Sequence, residues 1–355
     1  MMDVLYSIPI LGILFQLVGY LVQITPDAAP IILRAATPLG FGALCGVICE
    51  RSGVVNIGIE GTMLTAAFTG WIVAIASVSL LGPSAPGPLG ITPALLIGLV
   101  AAVLSAVAVS LLHAWLSISL RVDQIISGTI INIAAFGITG YLNNVISAAS
   151  PTSAGQFGKI TPPAALTELP VVGWLITTIL NQGPITISLL VMVIVFQVLL
   201  FRSRWGLRTR AIGEHPKAAE TVGIDVIRLR YRNVLIGGMF AGLAGAFLSM
   251  ELSNAFQQGG TAGRGFIALA ALIVGRYTPV GAFGAALFFS FFITLGQTIN
   301  FAPPSGDLGI IVKALPTQFF SALPYIATIV VLAGLIGRST PPAADGQPYE
   351  REATA

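Results

Sequence analysis

The sequence predicts an all-α membrane protein with about ten spans, and three observations support this. Charged residues make up 9% of the 355 residues and hydrophobic residues 55%, whereas charged residues are about 25% of an ordinary soluble domain. The mean hydropathy is +0.91. The apolar residues fall in long runs, and a run of about 20 crosses a bilayer as a helix. Little chain is left over, so a separate soluble catalytic domain is excluded.

Ten apolar runs, each bounded by glycine, proline or charge, qualify as spans. They are residues 5–24, 31–49, 59–81, 93–116, 124–146, 184–201, 234–252, 265–277, 280–301 and 310–337. The eighth run is too short to span alone, and the tenth contains Pro316 and Pro324. Each therefore favours a broken or re-entrant helix. Eight or nine spans are the alternative count.

Lysine and arginine positions predict the orientation. With ten spans that start and finish in the cytoplasm, thirteen of the 17 Lys and Arg fall on the inner side and four on the outer side. Positive charge is retained on the cytoplasmic side. The N- and C-termini are therefore expected in the cytoplasm, where residues 339–355, rich in Pro, Ala and charge, are expected to form a disordered tail.

An internal repeat is a further hypothesis. Residues 53–74 and 263–289 both run from a Gly-rich polar segment into an apolar helix of small residues. Many transporters contain such duplicated units. Shared composition is the alternative explanation.

The main charged feature is a basic loop at residues 202–232, which holds eight of the 17 Lys and Arg. Within it, Pro216 suits the first position of a helix and Gly223 suits its end. A helix of about two turns over residues 216–222 is too short to be stable alone, so it must pack on something. Ala218, Ala219 and Val222 form a small apolar side for docking. A loop lying on anionic lipid is the alternative.

Two motifs carry a resemblance to a known family. Residues 213–223 read Gly-Glu-His-Pro-Lys-Ala-Ala-Glu-Thr-Val-Gly, and residues 50–61, which follow Thr37-Pro38-Leu39, read Glu-Arg-Ser-Gly-Val-Val-Asn-Ile-Gly-Ile-Glu-Gly. From about residue 34 to 337 the chain resembles permease subunits of ATP-binding cassette (ABC) importers, in the branch for branched-chain amino acids, simple sugars and nucleosides. The second motif looks like the nucleoside subgroup, which imports guanosine and other purine nucleosides. His215 stands where the family commonly has Asn, a better helix N-cap.

The resemblance implies the architecture and the partners. Residues 1–338 would form a permease domain like that of type II importers, in the plasma (inner) membrane of a bacterium or archaeon. The segment at 213–223 would be the coupling helix that fits a cleft of a separate ATPase. Its matching residues are Gly213, Glu214, Pro216, Lys217, Ala218, Ala219, Glu220 and Gly223. A second permease subunit, related or identical, and an extracytoplasmic substrate-binding protein would complete the importer.

No enzymatic role is expected for this chain itself. It has no Gly-x-x-x-x-Gly-Lys-Ser/Thr sequence, so ATP and Mg would be bound by the partner ATPase, and no cofactor is expected here. No metal-ligand spacing joins His113 and His215. The excess positive charge lies beside spans, where it sets orientation in the lipid bilayer, so no nucleic-acid partner is expected.

Polar residues inside the apolar runs are candidates for the translocation path. Asn56 and Glu60 lie four apart and share one helical face, and a carboxylate at the start of an apolar run is costly unless it is paired or wet. A second stripe follows the fifth span, and a shorter one the ninth. The candidate path residues are Asn56, Glu60, Gln124, Asn132, Phe136, Asn143, Gln297 and Asn300. Hydrogen bonding that only holds helices together is the alternative.

Three other functions remain as alternatives to nucleoside import. A ribose-type sugar importer has the same architecture, since fold and motif do not fix the substrate. An ion-coupled secondary transporter would need no ATPase, although the sequence shows no series of intramembrane carboxylates of the kind that proton-coupled carriers use. A membrane-embedded enzyme would need a catalytic constellation, and the sequence displays none.

Overall fold

Helices form the regular secondary structure throughout the part of the chain that the structure describes, which confirms the all-α class. The structure is a computed structural model and describes residues 9–82, 85–147, 153–169, 172–331, 333 and 339–350. In chain order the helices are α1 (Pro9–Glu50), α2 (Ile59–Leu81), α3 (Pro93–Ala114), α4 (Gln124–Ser147), α5 (Ala164–Thr167), α6 (Val172–Leu180), α7 (Pro184–Arg202), α8 (Arg204–Glu214), α9 (Pro216–Thr221), α10 (Val226–Ala246), α11 (Arg264–Val274), α12 (Pro279–Phe301), α13 (Gly306–Ala314), α14 (Thr317–Ser321) and α15 (Leu323–Val330).

Seven helices within the described ranges are long and apolar enough to cross a membrane. They are Phe15–Glu50, Ile59–Leu81, Pro93–Ser119, Gln124–Ile146, Pro184–Arg202, Val226–Leu252 and Pro279–Phe301. The third and sixth include the π-helical turns Trp115–Ser119 and Phe247–Leu252, which continue α3 and α10. The chain is thus a multi-pass membrane protein. Neither the count of ten spans nor the internal repeat is confirmed.

The first two predicted spans form one continuous helix, α1, of 42 residues. The sequence predicts a break near Pro26 and Pro30, because a proline inside a helix leaves the carbonyl four residues earlier without its hydrogen bond. Here the carbonyl of Pro26, which Pro30 cannot serve, accepts a bond of 3.2 Å from Trp174 Nε1. The carbonyl of Pro30 accepts one of 3.0 Å from Gln182 Nε2. Trp174 therefore supplies the hydrogen bond that Pro30 cannot make, and Gln182 adds a second contact to the same stretch of α1.

The eighth and tenth predicted spans are short helices. At 11 residues and about 1.5 Å per residue, α11 covers about half of a 30 Å hydrocarbon core. The tenth run contains α13, α14 and α15, with Pro316 immediately before α14 and Pro324 in the first turn of α15. Both proline positions agree with the expected interruption, because proline is best tolerated at the start of a helix.

The chain divides into two compact units. One contains Met1–Ala36, Thr161–Gln182 and Leu287–Leu335, and the other contains Thr37–Ile160, Gly183–Ala286 and Ile336–Ala355. In the first unit, Tyr20 donates to the carbonyl of Ala302, at 2.8 Å, and Gln16 accepts from the amide of Leu308, at 2.9 Å. The second unit contains nearly all of the residues predicted to have a function.

The core of the second unit lies between α1, α2, α3, α7 and α10. Its largest buried side chains include Phe41, Ile48, Met63, Leu189 and Phe247. The outward faces of α3, α4 and α7 are also apolar, with Leu104, Ile133 and Ile194 more than half exposed. An apolar outer face is expected where lipid replaces water as the solvent.

Small residues allow α10 to approach its neighbours closely. A Cβ added to Gly245 would lie 2.2 Å from the carbonyl oxygen of Met63, and one added to Gly242 would lie 2.8 Å from Cα of Val103. The backbone of α10 therefore nearly touches α2 and α3. Small residues such as Gly238 and Gly242 therefore act as packing contacts, as is typical of membrane helices.

We expect Gly245→Ala to destabilise the protein by about 1–3 kcal/mol, because the new methyl group overlaps the Met63 carbonyl and forces the helices apart. The measurement is thermal unfolding in detergent. Gly137→Ala in α4 is the matched control, since no atom lies within 4 Å of its added Cβ, and alanine favours a helix by about 1 kcal/mol over glycine. Equal unfolding temperatures for the two variants would contradict close packing at Gly245.

Candidate functional site

The short helix predicted at residues 216–222 is present as α9, Pro216–Thr221. Pro216 occupies its first turn, and Gly223 follows it with φ +82°, a left-handed conformation that suits glycine at a helix end. His215 is the N-cap residue, and its side chain makes no capping hydrogen bond. The expected weaker cap is therefore seen in the geometry.

The small apolar residues of α9 do not form the single docking side that the sequence suggests. Ala219 is 4% exposed and packs with Ile212, Val226 and Tyr349. Val222, just beyond the helix, is 76% exposed, and Ala218 is also exposed. Because neighbouring helical residues point about 100° apart, Ala219 anchors α9 to its own chain and Ala218 faces outward.

The backbone that leads into α9 lies in close contact with the chain at the end of α1. A Cβ on Gly213 would lie 2.2 Å from the Arg51 carbonyl oxygen, so only glycine fits there. Arg51 itself donates from Nε to the carbonyl of Tyr277, at 2.8 Å, and from Nη2 to that of Arg276, at 3.2 Å. Burial lowers the pKa of the Arg51 guanidinium and raises the pKa of Tyr277 to about 12.

Arg276 and Tyr277 form a left-handed turn between α11 and α12, with φ of +54° and +55°. Such conformations are uncommon for residues other than glycine, and the surrounding structure must hold them in place. Arg51 supplies the two hydrogen bonds that do so. The end of α1, the turn before α12 and the start of α9 are thus joined.

The C-terminal segment (residues 339–350) differs from the disordered tail that the sequence predicts. Its backbone amides bond to the coupling region: the amide of Ala344 donates to the carbonyl of Gly213, at 2.9 Å, and the amide of Ala343 to Glu214 Oε2, at 3.1 Å. The Tyr349 hydroxyl donates to the Glu220 carboxylate. Low hydrophobicity predicts disorder only for a segment that finds no partner, and this one packs on α8 and α9.

Arg230, a buried residue of α10, binds the C-terminal segment. Its side chain is 1% exposed. It donates from Nε to the carbonyl of Ser52, at 3.0 Å, and from Nη1 to the carbonyl of Gln347, at 3.1 Å. Its guanidinium also lies 5.8 Å from the centre of the Tyr349 ring. The sequence presents Arg230 as one of eight basic residues that set orientation, and the fold gives it a separate structural role.

Asp345 lies in the interior of this contact. Burial raises the pKa of Asp345 to about 7, while the neighbouring Glu50 carboxyl, the amide of Gly346 and the charge of Arg230 act in the opposite direction. Burial dominates because an ionised carboxylate loses its water when the segment packs down.

A groove of about 700 Å³ separates α9 from the C-terminal segment. Pro216, Lys217 and Ala218 lie along one side of it. Ala343 and Pro348, both exposed, lie along the other. The groove is therefore lined by α9 and by the C-terminal segment, of which the sequence motif marks only α9.

The second group of predicted residues lies where α2 and α11 begin. Both oxygens of Glu60 accept backbone amides at the start of α11: Oε1 from Gly263, at 2.8 Å, and Oε2 from Gly265, at 2.6 Å. A Cβ on Gly265 would lie 2.6 Å from Cα of Glu60. A carboxylate at a helix N-terminus satisfies amides that have no partner within the helix.

The polar stripe of α4 bonds to the extended segment before α2. Asn132 accepts from the amide of Gly61, at 2.7 Å, and donates to the carbonyl of Ile57, at 3.0 Å. Gln124 accepts from the amide of Val55, at 2.7 Å. For these residues the geometry matches the alternative in which polar groups hold helices together.

Asn56 is 2% exposed and lies over the two cysteines. Its Nδ2 is 3.7 Å from Cys45 Sγ and 3.8 Å from Cys49 Sγ, and its Oδ1 is buried without a hydrogen-bond partner. Both cysteines are buried thiols, and a free cysteine in such a position behaves as a small apolar residue.

The other candidate path residues are more open. Phe136 is 53% exposed, and its ring lies 3.1 Å from the position of a Cβ on Gly259, in the loop before α11. Asn143 lies about two helical turns after Phe136 in α4 and is half-buried. Gln297 and Asn300 are exposed on α12, in the part that belongs to the first unit.

Sequence reasoning missed Glu251, which is 1% exposed in the last turn of the α10 span. It caps α7: Oε2 accepts from the amide of Ile185, at 2.7 Å, and Oε1 accepts from the Thr186 hydroxyl, at 2.7 Å. A Cβ on Gly183 would lie 2.2 Å from Glu251 Cδ. A carboxylate that ends one apolar run, together with Gly-Pro at the start of another, is the signal that was available.

A small cavity of about 90 Å³ lies at the break between α10 and α11. Its polar lining includes Ser249, Gln257, Thr261 and Arg264, and Phe256 contributes an aromatic ring. The Ser249 hydroxyl is buried without a hydrogen-bond partner. The loop that lines this cavity is the same one that contacts Phe136.

Comparison with known proteins gives consistent matches. A family model described as branched-chain amino acid transport system / permease component matches residues 29–332. The guanosine ABC transporter permease protein NupQ of Bacillus subtilis is 38% identical, over 93% of this chain and 98% of that protein. The nucleoside ABC transporter permease protein NupC of Lactococcus lactis is 35% identical, over 90% and 95%. A putative glucose ABC transporter permease protein of Haloferax volcanii is 32% identical, over 90% and 96%. No solved structure matches the chain.

We expect Glu60→Ala to lower the thermal stability in detergent by about 1–3 kcal/mol, because the amides of Gly263 and Gly265 lose their acceptor in a buried site. Glu60→Gln keeps one acceptor oxygen, so its stability should fall between those of the unmodified protein and Glu60→Ala. Glu168→Ala, at an exposed carboxylate, is the control. An unchanged unfolding temperature combined with an altered KM for the transported solute would instead place Glu60 in contact with that solute.

We expect the C-terminal segment to be bound less tightly as pH rises. Asp345 holds its proton up to about pH 7 when the segment is packed, but an exposed aspartate loses it near pH 4. The packed state therefore binds more protons between these values, and its stability decreases with pH across that window. Hydrogen exchange of residues 339–350, corrected for the intrinsic rate, should show less protection at pH 7.5 than at pH 5.5.

Asp345→Asn should weaken this pH dependence, because the amide does not titrate and only the neighbouring Glu50 carboxyl remains to do so. Protection that increases with pH in the unmodified protein would contradict the assignment of a buried, protonated Asp345.

Proposed function

Since this chain belongs to the permease component family of branched-chain amino acid transport systems, we propose that it forms one half of the membrane pathway of an ABC importer for nucleosides. The observation that carries the substrate is the 38% identity to a guanosine permease over nearly the whole length of both proteins. A second nucleoside permease at 35% identity supports it. A second permease subunit, related or identical, would form the other half, and an extracytoplasmic binding protein would deliver the nucleoside.

ATP hydrolysis in this proposal takes place on a separate ATPase that binds ATP and Mg, and α9 receives its motion. Ala218 and Val222 are exposed for contact with that subunit. Gly213 and Arg51 connect the start of α9 to the end of α1 and to the turn before α12. Gly213 makes a close backbone approach and Arg51 makes side-chain hydrogen bonds to a turn, so a displacement of α9 would shift the helices behind it rather than dissipate in a loop.

The proposed solute path follows the exposed face of α4. Phe136 offers an aromatic surface on which a base can stack, and Asn143 offers an amide that both donates and accepts hydrogen bonds. Gln297 and Asn300, on α12 in the first unit, are also proposed as path residues. Glu60, Gln124 and Asn132 already bond to backbone groups. Their proposed contribution, with Asn56, is to hold the chain between α1 and α2 and the start of α11 in place beside the path.

The orientation and the span count are part of the proposal. The basic loop at residues 202–232 is placed in the cytoplasm with both termini, in a plasma membrane. The ten-span count requires α11 and the α13 to α15 region to act as broken spans, as in transporters whose half-helices line a central site. An internal repeat of residues 53–74 and 263–289 is also part of the proposal.

A sugar is the second candidate solute, because a putative glucose permease is 32% identical over 90% of the chain. Both solutes are small, uncharged and rich in hydroxyl groups. They differ in the base, which only the nucleoside presents to an aromatic side chain.

Reconstituted uptake decides between these proposals. The chain would be assembled in liposomes with its second permease, ATPase and binding protein, and uptake of guanosine, ribose and glucose would be compared. We expect guanosine uptake that depends on ATP and is lost with an ATPase variant unable to hydrolyse it. Uptake of sugars alone would contradict the nucleoside proposal, and full uptake driven by an ion gradient without the ATPase would contradict the ABC mechanism.

A further inference from the structure

We propose that the C-terminal segment (residues 339–350) and α9 together form one composite docking surface for the ATPase, with the groove between them as the binding site. This inference rests on the proposed function, because it specifies the surface through which the partner of that function binds. The sequence motif marks α9 alone. The C-terminal segment, expected to be disordered, is the new element.

The size of α9 requires a second element. A six-residue helix is about 9 Å long, whereas a stable interface buries about 800 Å² on each partner. Its inward side is already used, since Ala219 packs against Ile212 and Tyr349. The outward side of α9 is therefore too small to hold a partner alone, and the surface must extend onto neighbouring chain.

The C-terminal segment provides that extension in a fixed position. It is held through its backbone: the amides of Ala343 and Ala344 donate to α8, and the carbonyl of Gln347 accepts from Arg230. Backbone anchoring leaves the side chains of Ala343 and Pro348 exposed on the groove. A surface that is fixed before the partner arrives binds with a smaller loss of conformational entropy.

The chemistry of the groove is that of a protein interface. Its apolar lining comes from Ala218 on the α9 side and from Ala343 and Pro348 on the other side, and Glu214, Lys217 and Glu350 add charges of both signs. Protein interfaces combine apolar and polar groups in this way. The occupant that fits is an apolar ridge of the ATPase flanked by charges of both signs.

Arg230 connects the composite surface to the membrane helices. It lies in α10, donates to the carbonyl of Ser52 beyond α1, and donates to the carbonyl of Gln347 in the C-terminal segment. A force applied at the segment therefore reaches α10 and α1 directly, in parallel with the route through α9. The two walls of the groove would move the spans together.

The test introduces one charge into the groove. Ala343→Arg adds a long cation to the C-terminal wall without removing a fold contact, because the Ala343 side chain is exposed. We expect the amount of ATPase that copurifies with the permease complex in detergent to fall on the order of tenfold or more, since an unmatched charge must be buried. Pro341→Arg is the control, being exposed in the same segment but outside the groove.

Ala218→Arg, on the α9 wall, separates this inference from the proposed function. Loss of ATPase binding in Ala218→Arg but not in Ala343→Arg would overturn the composite surface and leave the coupling role of α9 intact. Unchanged binding in both variants would overturn the coupling role as well. Hydrogen exchange of residues 339–350 in each variant checks that the segment stays packed.

A second measurement does not depend on disturbing the segment. A photo-crosslinking residue is placed at position 343 in one preparation and at position 341 in another. We expect an adduct with the ATPase from position 343 and little from position 341. Equal yields from the two positions, or an adduct from 341 alone, would contradict binding in the groove.

Discussion

The structure depends on how a chain with few charges satisfies the backbone amides at its broken helices. An unpaired backbone amide in an apolar environment is costly, so a helix can begin inside the membrane region only where an acceptor is supplied. Two carboxylates do this: Glu60 accepts two amides at the start of α11, and Glu251 does the same for α7. Both act beside a glycine that could not be replaced without a collision, Gly265 and Gly183. Helices α7 and α11 can begin where they do because these acceptors are present.

Around α9 and the C-terminal segment, outside the membrane helices, backbone groups are likewise satisfied by side chains that are distant in the sequence. Here a buried cation meets carbonyl groups: Arg51 binds the turn at Arg276 and Tyr277, and Arg230 binds Ser52 and Gln347. Arginine suits this role because its planar group donates in several directions while remaining charged. The two arginines join α9, the C-terminal segment and the ends of the long helices. That arrangement is what a force-transmitting element needs, since every part is in direct contact.

Comparison of sequence and structure shows where pattern reasoning works. The class and the position of α9 follow from local signals: long apolar runs, a proline at a helix start and a glycine at its end. The break predicted within α1 does not occur, and Trp174 donates to the Pro26 carbonyl that Pro30 leaves without a helical partner. The disorder predicted from residue 339 onward is not what residues 339–350 show, because their partners are remote in sequence. Glu251 was overlooked for the same reason, since the amides that it caps lie about 65 residues away.

By itself, the sequence determined that this chain is an all-helical membrane permease and where the short helix α9 lies, because hydropathy, capping and motif are properties of neighbouring residues. Only the tertiary structure decided which polar residues are committed to holding the fold. Glu60 and Asn132 could equally have met a solute, and their backbone partners show that they brace a helix break. It also decided that Ala219 points inward while Ala218 points outward, and that a segment of low hydrophobicity forms half of a groove. Each of these depends on contacts between residues far apart in the chain, which no local pattern records.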